Sequence, residues 1–233
     1  KGRWEGAAWI EAEMQARAAR PEKIGLTDVF WSISTARLTG DTAGYGQVVP
    51  LVHTSHPDLS MLWHAAVGPV TAPLLPVFMG QTSFPDAYGK HRYLTEGESA
   101  RFLDRRKEEK APQVICRIPQ GIEVGDSAVY HFKQLMHLAF QSLEGILPEV
   151  DQHWRQIEAA MLADLPAVQR SAEVLFAAGE TALANRLLTD FSSQWHGKVL
   201  TDCKALAASA YVRLRAQGCL NMTDQPVAPP QLW

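Results

Sequence analysis

Cysteine is scarce in this chain. Cys116, Cys203 and Cys219 are the only three, and no two of them form a CxxC pair. That count argues against a disulfide framework or a four-thiolate zinc site. It leaves the compartment open, because one disulfide and fully reduced thiols fit equally well. Unbroken apolar runs of membrane-spanning length are also missing: the long uncharged stretch after Asp58 is divided by Gly68-Pro69 and punctuated by Pro73 and Pro76. A basic excess is absent, since the net charge is -3 with 20% charged residues. A nucleic-acid partner would call for a clustered positive field, so that class is set aside. The densest basic run, Arg101–Lys110, is offset by Asp104, Glu108 and Glu109 and reads as a solvated helix face. The opening KGRWEGAAWIEAEM has neither the apolar core of a signal peptide nor an initiator Met. Lys1 is therefore expected to be an internal residue, exposed by processing or truncation.

What is present is core-forming material: 46% hydrophobic residues over 233 positions, enough for one or two compact domains. Trp4–Arg20 has Ala7, Ile10, Met14 and Ala18 at helical spacing and stops at Pro21. Thr27 or Asp28 can cap a second helix, through Val29, Phe30 and Ile33, running towards Arg37. A glycine turn, Gly40–Gly46, leads to the β-rich QVVPLVHT, which opens a strand region reaching about Met79. Prolines 73 and 76 place those strands at a sheet rim. Thr95 and Glu98 form a capping box for a helix to Lys107, and Val114–Pro119 reads as a short edge strand. Beyond Ser127, one apolar stripe from Val129 to Leu147 is expected to end at Pro148. Four further helical patterns follow, with connections expected at Leu165-Pro166 and Gly179-Glu180. The chain thus divides into an α+β part (1–125), a helical layer (126–216) and an extended proline-rich tail (217–233). The strands are too few for a complete sheet fold.

The chemistry-bearing residues do not add up to a catalytic set. His53, His56 and His64 have a metal-like spacing, but strand residues three apart point to opposite faces, and no carboxylate lies among them except Asp58 in a turn. In Trp63-His64 one side chain faces the apolar side of a sheet and the other faces the opposite layer, so a half-buried structural His is the default. Arg37 either caps its helix or clamps a carboxylate. Ser32, Ser34 and Thr35 sit in no nucleophile elbow. Gly40–Gly46 lacks the Lys-Ser/Thr of a phosphate loop. Trp154, Phe191 and Trp195 read as core packing.

The order of segments adds something the residues do not. GQVVPLVH precedes PDLSMLWHAAVGP, then APLLPVFMG with SFPDAYG, a Ser99-Ala100 helix start, and finally ANRLLTDFSSQWHGKVLTDCKAL. Together with Asp28-Val29 leading to Arg37, this resembles the C-terminal part of the peptidase C69 dipeptidases. They belong to the N-terminal-nucleophile (Ntn) amide hydrolases, with the acyltransferase-like and choloylglycine-hydrolase-like enzymes. The likeness runs over roughly residues 25–215.

The resemblance implies an α+β fold, an αββα sandwich. In this chain it would be partial, completed by a missing segment or a partner chain, with a helical C-terminal layer. It implies an N-terminal Cys, Ser or Thr nucleophile whose α-amino group is the general base, and no cofactor or metal. Lys1 offers neither thiol nor hydroxyl. No catalytic residue is therefore expected on this chain, and the nucleophile would come from an N-terminal segment or second subunit of an oligomer. The expected activity is hydrolysis of linear amides, dipeptides among them, with Arg37, Tyr45, Trp63 and His64 lining the substrate cleft. The competing expectation is a non-catalytic partner-binding subunit of a hetero-oligomer. Neither nucleic acid nor membrane is an expected partner.

Overall fold

A computed structural model of the chain describes residues 7–21, 23–36, 39, 44–90 and 125–218, without the side chains of 7–10. The expected helix from Thr95, the edge strand at Val114–Pro119 and the proline-rich tail lie outside the described residues, as does Arg37.

The protein is mixed α+β. Helix α1 spans Ala7–Ala18 and α2 spans Leu26–Ser34. Neither Thr27 nor Asp28 is the cap of α2. Gly25 occupies that position, and Asp28, three residues in, reaches back to accept from Gly25 N at 3.0 Å. The Gly25 amide, and then Arg20 and Arg17, hold the Asp28 carboxyl below the usual range. Arg17 also lies 3.4 Å over the Trp31 ring, so one side chain docks α1 on α2. The helix stops at Ser34, short of Arg37.

Among the described residues there is one sheet, antiparallel, with strand order β1-β2-β3: β1 Gly46–Val48, β2 Met61–Ala65, β3 Leu75–Phe78. The β-rich QVVPLVHT is strand only as far as Val48, because Pro50 has no N–H for a ladder. A short 3-10 turn, Pro57–Leu59, leads into β2, and a four-residue helix α3, Asp86–Gly89, follows β3.

Three helices build the rest. Ser127 caps α4, Ala128–Ala139, by accepting from Tyr130 N at 3.2 Å. The stripe expected to run unbroken to Pro148 divides here. Pro148 is the third residue of the next helix, α5, Ile146–Ala177, where a first-turn proline forfeits no helical bond. The break expected at Leu165-Pro166 is also absent, since Pro166 lies inside α5. The turn at Gly179-Glu180 is real: Gly179 takes φ +79°, and Glu180 N bonds back to Leu175 O at 2.9 Å. It returns the chain into α6, Thr181–Ala216, so the last four helical patterns form two long helices packed side by side.

Helices cover one sheet face. Trp63, fully buried, meets Phe30 of α2 at 5.0 Å. Met61 Sδ accepts from Gln169 of α5, and Phe78 meets Phe191 of α6 at 6.4 Å. Helix α6 also closes the β3 edge. Ser192 Oγ donates to Pro76 O at 2.7 Å, Thr82 N to Thr189 Oγ1 at 3.0 Å, and Asn185 Nδ2 to Asp58 at 2.9 Å. The β2–β3 connection is buried from Val67 to Leu74, which is unusual for a loop. Its backbone groups find partners on α5: Trp154 Nε1 donates to Thr71 O at 2.9 Å, and Leu74 N donates to Glu158 Oε1 at 2.8 Å.

Candidate functional site

Strand alternation assigns Trp63 and His64 to opposite faces. Trp63 is committed to the helical core, with its indole N–H buried and unbonded. It is therefore not beside Tyr45 and His64. Those two lie together on the other face, their rings 6.2 Å apart, with Tyr45 62% exposed. The register places Gln47 opposite His64, and Gln47 Nε2 approaches His64 Nδ1 at 3.4 Å. The amide nitrogen can only donate, so Nδ1 is the acceptor and the ring proton sits on Nε2. Burial lowers the His64 pKa, which keeps the ring neutral at neutral pH. Leu62 and Val77, paired in register, share this face and are only partly buried. The result is an apolar, half-covered surface with a phenol, an amide and a neutral imidazole at one end. It can donate hydrogen bonds to a carbonyl or carboxylate.

The other candidates are engaged structurally. His56 stacks on Phe176 at 3.8 Å and accepts from Asp58 N, while His53 is exposed, so the three histidines of the spaced set do not converge. Ser32 and Ser34 hydroxyls donate to Val29 O and Phe30 O within their own helix. Cys203 is fully buried, and burial pushes its thiol far up, which removes the thiolate a nucleophile needs. His196 donates from Nδ1 to Ser192 O at 2.7 Å and packs edge-on to Tyr88 at 4.7 Å. Burial takes its pKa down to about 4, partly countered by Ser192 O.

One cluster escaped the sequence reading. Glu158 of α5 is 3% exposed, and its second oxygen takes Arg155 Nη1 at 2.5 Å. Arg155 Nε lies 3.4 Å from Asp151 Oδ1. Burial raises the Glu158 pKa to about 7 against the opposing pull of Arg155 and Leu74 N. The signal was in the spacing: Trp154, Glu158, Met161 and Leu165 follow at four, three and four, so Glu158 falls on the core stripe. No family model, curated protein or solved structure matches this chain.

Proposed function

We propose that this chain is the C-terminal portion or subunit of an Ntn-type hydrolase that cleaves linear amides, dipeptides among the candidate substrates. It contributes one sheet of an αββα sandwich and a helical layer, and the nucleophile comes from an upstream segment or another chain. One observation carries the reading: on the sheet face opposite Trp63, the described residues leave Gln47 exposed and Leu62, His64 and Val77 half-buried around a buried Leu75. That half-apolar character suits a surface that packs on a second sheet. The two strands bearing most of the resemblance, Met61–Ala65 and Leu75–Phe78, are antiparallel neighbours in that sheet. Tyr45 and His64 then sit at the rim of the interlayer space, where a substrate carbonyl or carboxylate would lie. Arg37 is assigned the anionic group of the substrate.

An electrophilic amide analogue tests this, applied to the protein purified with everything that travels with it. The expected product is a covalent adduct on an N-terminal Cys, Ser or Thr outside residues 1–233, with Arg37→Ala lowering kcat/KM. If no such adduct forms, the non-catalytic reading takes over. Its support is the exposed run beside β1, where Val49, Leu51 and Val52 are 56%, 95% and 67% exposed, an apolar edge suited to pairing with another chain.

A further inference from the structure

The buried β2–β3 connection is held to α5 by a bond that a single proton can alter. Among the described residues Glu158 is the acceptor for Leu74 N, and Arg155 pairs with its other oxygen. Arg155 is shared. Nη1 is on Glu158, Nε faces Asp151 without the alignment of a hydrogen bond, and Nη2 is buried and unbonded. One guanidinium thus stands between two carboxylates, seven positions apart on one helix face.

We propose that Arg155 is the moving part of a proton-operated latch. It rests on Glu158 while that carboxyl is ionised and swings to Asp151 once it is protonated, and the Glu158–Leu74 bond slackens as it leaves. The chemistry is direct. A proton from solvent on the oxygen facing Arg155 cancels its charge and sets an O–H donor against the guanidinium's own donors, leaving only the weaker acceptor capacity of a neutral hydroxyl oxygen. Arg155 then closes on Asp151, already 3.4 Å from its Nε. Leu74 N keeps only a neutral carbonyl oxygen, a weaker acceptor than a carboxylate.

The surroundings leave this pair in control. The β2–β3 connection carries no ionisable side chain. Helix α4, packed on α5, brings the buried Lys133 and the half-buried His137; burial lowers the pKa of His137. From α6, Asp202 is engaged by Lys198 and by His153, and Arg213 by Glu149. The charges that bear on Glu158 are Arg155, which favours its ionised form, and Asp151, which opposes it.

The test is an NMR titration of the 15N-labelled full chain from about pH 5 to about pH 9, a window spanning both carboxyl forms. The Leu74 amide and the Arg155 Nε–H are expected to shift together, with one midpoint near 7. In Asp151→Asn the Leu74 midpoint falls, because the charge opposing ionisation is gone, and the Arg155 signal no longer follows it. In Glu158→Gln the Leu74 amide is flat. A flat Leu74 amide in the wild type, a transition that survives Glu158→Gln, or a midpoint that holds or rises in Asp151→Asn would each overturn the proposal. Asp151 is 44% exposed, so its variant decides the matter even if Glu158→Gln does not fold.

Discussion

Trp154 ties three parts of the molecule together, and replacing it by Phe isolates one of those ties. The side chain is fully buried, its ring 6.5 Å from Phe132 of α4, and its Nε1 donates to Thr71 O at 2.9 Å. Phenylalanine keeps most of the aromatic contact but leaves the Thr71 carbonyl, on a residue with no exposure, without its donor. Losing the partner of a buried acceptor costs about 1–3 kcal/mol, and the vacated half of the indole adds a smaller cavity contribution. Trp154→Ala removes the packing as well and should cost about 3–5 kcal/mol. Urea unfolding followed by far-ultraviolet circular dichroism reads both values, since α5 and α6 dominate that signal. The midpoint should fall in the order wild type, Phe, Ala, with the slope unchanged. A Trp154→Phe variant within about 0.5 kcal/mol of wild type, the scatter expected of a neutral surface change, would refute the claim that this bond anchors the β2–β3 connection.

Gly80→Ala should destabilise the protein by about 1–3 kcal/mol, the usual cost of overpacking. Its new Cβ would collide with Asn185 Oδ1 and lie 2.7 Å from Asp58 Cβ. Adding Asn185→Ala should restore only part of the melting temperature, because Asp58 Cβ cannot retreat. His196 is expected to make the fold acid-labile. Between pH 6.5 and about 4 the unfolded chain binds a proton that the buried ring refuses, so stability falls as pH falls through that window. The stability difference between wild type and His196→Gln should therefore shrink on acidification, and a pH-independent difference would contradict this. Glu158 works in the opposite sense: its raised pKa makes stability fall as pH rises from 4.5 to about 7, and Glu158→Gln should flatten that slope. Pro166→Ala should stabilise the protein by up to about 3 kcal/mol, read as a higher unfolding midpoint.

How much of this was legible in the sequence depends on which residue was asked. Phe30 and Ile33 at helical spacing gave α2, and Gly179 gave a turn, because only glycine takes its positive φ cheaply. Pro148 and Pro166 both lie within α5 rather than at a helix end, for different reasons. Proline fits the first turn of a helix as readily as it ends one, and Gly145 with Ser142, whose Oγ accepts from Ile146 N at 3.3 Å, was the overlooked start signal. At Pro166 the packing of α5 on α6 outweighs the local penalty, which no local pattern reveals. Tyr45 and His64 were both picked out, but their adjacency arises from the β1–β2 register. Trp63 was placed with them by sequence neighbourhood, and the pleat turns it away. Glu158 was passed over because a charge on a helix reads as solvated until its backbone partner, 84 residues away, is known.

That separation has a kinetic consequence. The α5–α6 hairpin closes through a short turn, so its contacts form early and locally. Hydrogen bonds seating the strand region and its connections on it join residues 83 to 127 apart in sequence, from Trp154–Thr71 to Asn185–Asp58. Loop closure over such distances is slow. During that interval Pro76 and its neighbours remain uncovered, and the newborn chain is most exposed to sticking to its own copies before the last helix swings down over them.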